Sequence, residues 1–366
     1  MTKIFPIAIS LATSLACICS CEESPSYHKE ILDETILNSS HSCKIDTIDL
    51  DYNKYKYANY FYVYNDSILI VVNSKPKEGY FIEFSNLSTN ATIANMYKYG
   101  NGHSELLSAN VELNNDMLFV NDYVKSQYAF INMDSLLAHD GRYTVSPRQR
   151  KHSGSPTAIP YKDMLLVENP YCYSSTDTKI LQGVEQGMPR FLTITSDVEA
   201  EEPSDVKFNT RNVAVDGKII SDDPCGNIVY ASFGQPNVEF YDNNLTLKKI
   251  VTGPTKLNAQ YESFTMEDNG MKQIIYKEQI PYAYMAYCCD TKYVYLLYIG
   301  SFLKEETDIM RMKSHILQFD WHGNYIQCFD TGGFILSLSK SKRHNTFYAT
   351  ALDNDGNPRL IKLCIP

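Results

Sequence analysis

Four residues near the start of the chain, Ile18-Cys19-Ser20-Cys21, have the types and order that let a thiol take a lipid. An aliphatic side chain stands at −3, small ones at −2 and −1, and the sulfur of Cys21 is the group to be acylated. Residues 1–21 supply the rest of a secretory signal: a lone cation at Lys3, an apolar run over 4–16, then cysteines at 17, 19 and 21. Ser14-Leu15-Ala16-Cys17 puts a serine at −3, and Ala16-Cys17-Ile18-Cys19 puts a bulky residue at −1, so Cys21 is the expected lipidation site. The apolar run contains Pro6, Ser10, Thr13 and Ser14 and falls short of the ~20 apolar residues of a spanning helix.

Elsewhere the reactive side chains form few patterns. Seven cysteines follow the signal (Cys43, Cys172, Cys225, Cys288, Cys289, Cys328, Cys364), an odd number with no zinc-ligand spacing. Most read as small apolar fillers in strands. One pairing is expected to be open to an exported chain, Cys43 with Cys364, provided the strands that carry them lie side by side. Gly-x-Ser-x-Gly, His-Glu-x-x-His and a phosphate-binding glycine loop are absent, and the eight histidines share no repeated offset. No catalytic residue and no resident cofactor is therefore assigned. The one metal the sequence leaves room for is calcium, held in a channel by Asn59, Asn110 and Asn212. The net charge of −10, from 33 basic and 43 acidic residues, is spread along the chain and offers no basic stripe for nucleic acid.

The elements that must position any site come from a repeat. A turn-prone residue runs into four apolar, aromatic or β-branched ones at Ile68, Met117, Met164, Ile228, Tyr293 and Thr346. By subtraction the steps are 49, 47, 64, 65 and 53 residues. That period predicts an all-β, six-bladed β-propeller. The 28 tyrosines suit half-buried sheet, where the ring packs and the hydroxyl reaches water or a partner. Units are expected at about 59–106, 109–150, 155–205, 207–251, 284–329 and 334–365, with a long polar insertion over 258–277. Open sheet edges invite aggregation, so residues 43–50 are expected to close the ring beside 358–365. Residues 22–42, poor in large apolar groups, read as a tether with a short helical turn within 30–37, which leaves 43–366 as the propeller domain.

The first unit ends Tyr99-Gly100-Asn101-Gly102-His103-Ser104-Glu105-Leu106. This resembles the glycine-rich turn, ending in an acid, between blades of TolB-like and other six-bladed propellers of Bacteroidetes lipoproteins. That family has Pro-Gly before the glutamate where His103-Ser104 stands here. Glu22-Glu23 after Cys21 is similar to the acidic start of Bacteroidetes lipoproteins that reach the cell surface. The sixfold strand box, the lipid signal and the lack of a catalytic motif together point to a lipid-anchored envelope propeller, at the outer membrane, that binds a peptide, a protein or a glycan at the channel mouth without catalysing a reaction. Glu105, Arg190 and Arg211, at inter-blade or loop positions, are the candidate contacts. The alternative is a metal-dependent hydrolase or lyase of the lactonase-like propeller type.

Overall fold

The computed structural model describes residues 27–366 apart from 75, 77–78, 123, 126, 140–144, 150–157, 162–163, 168–216, 223–225, 245, 258–260, 266–271, 277–279, 304–310 and 344. Cys21, Arg190, Arg211 and Asn212 lie outside the described residues.

The chain is an all-β propeller. Blade A comprises Ala58–Tyr64, Ile68–Asn73, Ile82–Asn86 and Thr92–Met96, in that order across the sheet. Blade B comprises Asn110–Asn114, Met117–Asp122, Gln127–Asn132 and Arg148–Gln149. Hairpin C pairs Ala158–Tyr161 with Met164–Val167, and the rest of the expected third unit is outside the described residues. Blade D comprises Gly217–Ser221, Ile228–Ser232, Asn237–Tyr241 and Leu247–Thr252; blade E, Ile280–Cys289, Tyr293–Leu303, His315–Asp320 and Tyr325–Asp330. Blade F comprises Ile335–Lys340, Thr346–Leu352, Pro358–Cys364 and, from the other end of the chain, Lys44–Thr47. Five sheets of four or five strands thus lie among the described residues, together with hairpin C. The insertion after blade D forms a further hairpin, Tyr261–Thr265 with Lys272–Tyr276.

All six repeated boxes begin the second strand of their sheets. A second strand has sheet on both edges and a neighbouring blade on each face, so its central positions must be mostly apolar. Ile68–Asn73 is buried at every position. Its even-numbered residues, Ile68, Ile70 and Val72, pack with Leu118, Val120 and Ile131 of blade B. Its odd-numbered ones, Leu69 and Val71, pack with Tyr348 and Leu360 of blade F. The same alternation in blade E sends Val294, Leu296 and Tyr298 towards blade D, and Tyr295 and Leu297 towards blade F. One strand therefore glues two seams. The first hairpin turns as its sequence demands: Asn65 and Asp66 both have positive φ (52° and 59°), the backbone of the tight turn that matches strand twist.

The ring closes where expected: Lys44–Thr47 pairs antiparallel with Pro358–Cys364, Ile45 opposite Leu363 and Thr47 opposite Ile361. The register also corrects the expected disulfide. Lys44, not Cys43, stands opposite Cys364 in the register, and both thiols are free. Burial, with Asp330 and Cys364 nearby, pushes the Cys43 thiol up to about 12.

The stretch read as a tether differs from that reading as well. His28–Ile31 adds a parallel strand to the outer edge of blade D, and His41–Ser42 does the same on blade E. Between them lies the helical turn Thr35–Asn38. Leu32 is buried in the seam of blades D and E, with Ile36 and Leu37 packed against it. The carbonyl oxygen of Leu32 comes so close to Gly253 that a Cβ there would lie 2.6 Å from it. Residues 28–47 thus strap blades D and E before closing blade F. Isolated isoleucines and leucines in a polar stretch carried no period to announce this.

Candidate functional site

The first strands of blades A, B, D, E and F converge, and those of A, B, D and E bring polar side chains to the meeting point. Tyr60 and Tyr62 of blade A, Glu112 of blade B, Lys218 of blade D, Tyr287 of blade E and Leu336 of blade F all line one inner cavity of about 140 Å³. Its polar groups are spent on one another. Lys218 donates to Glu112 in a mostly buried ion pair, and the Tyr287 hydroxyl donates to the other carboxylate oxygen at 3.3 Å. Tyr60 and Tyr62 each donate to the Val111 carbonyl at 3.1 Å, and their rings meet edge to face at 5.6 Å. Burial, reinforced by Glu112, holds the Tyr287 hydroxyl well above the usual tyrosine range, so it stays protonated and donates.

Where the same strands end, a wider cup opens, of about 560 Å³. It is built from first-hairpin turns: Asn65 of blade A, Asn115-Asp116 of blade B, Asp290 to Lys292 of blade E and Ser341-Lys342 of blade F. Leu113 lines both cavities, and the Cys289 thiol donates across the axis to Asn114 at 3.2 Å, which puts a partition between them. Burial raises the Cys289 thiol, so it is a hydrogen-bond donor and not a nucleophile.

One wall of the cup comes from a feature the sequence reading missed. Helix Met133–Ala138 follows the third strand of blade B directly. Asn132 caps it, accepting from the Ser135 N–H at 2.8 Å, and the Met133 N–H donates to the Asp116 carbonyl at 2.8 Å. Asn-Met-Asp-Ser is the signal that could have revealed it, a cap residue followed by an acid in the first turn. The helix brings Asp134 to the cup, where it accepts from the Tyr64 hydroxyl at 2.7 Å. Burial first, and Asp134 second, raise the Tyr64 hydroxyl.

On the far wall Asp290 is tied down by its own turn, accepting from the N–H groups of Lys292 and Tyr293 at 2.9 Å and from the Tyr295 hydroxyl at 3.0 Å. The Lys340 ammonium lies 5.0 Å from the Phe347 ring centre and 5.8 Å from that of Tyr295, a cation held by aromatic faces.

Of the residues singled out from sequence, Glu105 lines neither cavity. It sits in the turn between blades A and B, where its carboxylate accepts from the Gly102 N–H at 2.7 Å. A Cβ at Gly100 would stand 2.1 Å from that carboxylate and one at Gly102 2.9 Å, so the glycines exist to let Glu105 fold back on its own loop. Lys125 ties the loop down further, donating to the carbonyls of Gly102 and Glu105. Asn110 lines the inner cavity, whereas Asn59 is exposed and on neither cavity wall. Among the described residues no three His, Cys, Asp or Glu side chains converge as a metal would require.

No family model matches the chain, and no curated protein does. The fold is nevertheless similar to solved structures. A member of the DUF4221 family from Bacteroides vulgatus ATCC 8482 is 10% identical with a TM-score of 0.52, over 89% of this chain and 97% of that one. An exported protein from Bacteroides fragilis NCTC 9343 is 10% identical with a TM-score of 0.49, over 94% and 100%. BamB from Moraxella catarrhalis is 12% identical with a TM-score of 0.35, over 82% of each chain. At these identities the likeness concerns the fold alone.

Proposed function

We propose that the chain is a lipid-anchored propeller of the bacterial envelope, held at the outer membrane, that binds a ligand in the cup at one mouth of its channel and performs no chemistry on it. The observation that carries the binding reading is the cup itself: about 560 Å³ of open volume, within the ~300–1,000 Å³ of small-ligand sites, lined by charged and aromatic side chains on short turns. Tyr64 and Tyr293 offer flat apolar area with a hydroxyl attached. The groups nearby that would serve catalysis are engaged or muted: the thiols are raised by burial, and the inner Glu112 is bound to Lys218 and Tyr287. No observation favours the metal-dependent hydrolase or lyase.

The anchor rests on Ile18-Cys19-Ser20-Cys21 and the signal before it, and the Bacteroidetes lipoprotein resemblance supports it. No helix among the described residues is long and apolar enough to cross a membrane. Attachment through a lipidated Cys21 would be by acyl chain. Radioactive palmitate should label the wild type and not Cys21→Ala. Binding is tested by probing peptide and glycan arrays with the detergent-purified full chain beside Thr291→Trp, whose new indole would fill the cup. Array signals lost in the variant support the cup, and signals that survive it place the ligand elsewhere.

A further inference from the structure

The cup carries fixed charges of both signs, with all its lysines on one side. Blade B and its helix present Asp116 and Asp134; blades E and F present Lys292, Lys340 and Lys342, together with Asp290, whose carboxylate is taken up by the N–H groups of Lys292 and Tyr293 and by the Tyr295 hydroxyl. Neither Asp116, Asp134 nor any of the three lysines forms an ion pair among the described residues, although the protein uses ion pairs freely elsewhere, as between Lys249 and Glu30 or Arg359 and Asp353. Asp116 and Asp134 thus stand opposite the three lysines with no ion pair joining them.

From this we infer that the ligand is a zwitterion, a short peptide with both ends free, its carboxylate against the lysines and its ammonium against the aspartates. The inference rests on the binding reading above and narrows it to one class. Like-charge repulsion does the narrowing. A polyanion would satisfy the lysines but meet Asp116 and Asp134, and a polycation would meet the three lysines. Size agrees with charge. A sphere of the cup's volume is roughly 10 Å across, the reach of about three extended residues at ~3.3–3.6 Å each. Nothing at the bottom demands a particular side chain, so recognition falls on the two ends.

The test uses four mixed tripeptide pools: both ends free, N-acetylated, C-amidated, and blocked at both ends. Each is incubated with the full chain, and retained peptide is counted by mass spectrometry. The free-ended pool should be retained at least tenfold better than any blocked pool. Asp116→Lys should shift preference towards the N-acetylated pool, which a merely structural role for Asp116 would not do. Asp116 is an exposed turn residue, and an unchanged melting curve checks that the variant folds. Equal retention of the free-ended and doubly blocked pools would overturn the zwitterion while leaving binding at the cup intact. Retention of no pool would also overturn it. In that case the array signals that depend on Thr291 decide whether the cup binds another class or nothing at all.

Discussion

Two cavities on one channel axis, separated by Leu113 and the Cys289–Asn114 contact, treat charge in opposite ways. In the inner one, every ionic group has its partner: Glu112 has Lys218 and Tyr287. In the cup, Asp116 and Asp134 stand opposite three lysines, and no ion pair joins them among the described residues. The difference follows from solvent. A buried unpaired charge costs several kcal/mol, so the inner charges must pair, whereas water at the mouth lets charges stand apart. Paired charges hold a fold together, and separated ones are available to a ligand.

The contrast breaks most sharply at the inner pair. Lys218→Met strands Glu112 and should lower stability by about 3–5 kcal/mol, read as a large drop in the denaturation midpoint. A smaller loss would mean that Glu112 takes up a proton or reaches water. Tyr287→Phe removes one hydrogen bond to a carboxylate and should cost about 1.5–3 kcal/mol by the same measurement.

A pH series separates the channel from the hairpin turns. Asp320 accepts from the N–H groups of His322 and Asn324, and Asp242 and Asp353 close their turns in the same way. For Asp320 and Asp242, burial opposes ionisation but the turn's hydrogen bonds outweigh it; for Asp353 the Asn357 N–H is the leading cause. All three carboxyls are held below the usual range. Their contribution is therefore complete above the unfolded value of about 3.9 and is lost as pH falls through the folded values. Melting temperature should fall on acidification below about pH 4, and Asp320→Asn should flatten that fall. The smallest effect is expected at the cup: Lys292→Ala and Lys342→Ala should change stability by no more than about 0.5 kcal/mol, while peptide retention drops.

How much of this the chain announced depends on what each residue answers to. The second strands were legible because burial on both faces leaves one solution, a continuous apolar run, and Ile68, Met117, Met164, Ile228, Tyr293 and Thr346 all start such strands. Ring closure was legible from the open edges it abolishes. The cup was not, because Asp134 and Lys340 are ordinary surface residues in sequence, and only the ring brings them to one mouth. Glu105 shows the reverse: a conspicuous acid in a glycine turn drew a functional reading, yet its carboxylate serves its own loop. The strap failed to show because its hold comes from backbone pairing and three scattered apolar residues, Leu32, Ile36 and Leu37.

The most direct test of the cup is lysine footprinting of the full chain, with and without a ligand retained by the arrays, by quantitative acetylation and mass spectrometry. Lys292, Lys340 and Lys342 should be protected by the ligand, while Lys44 and Lys56, away from the channel, acetylate at unchanged rates. Bound ligand that leaves the three cup lysines as reactive as before would contradict the account.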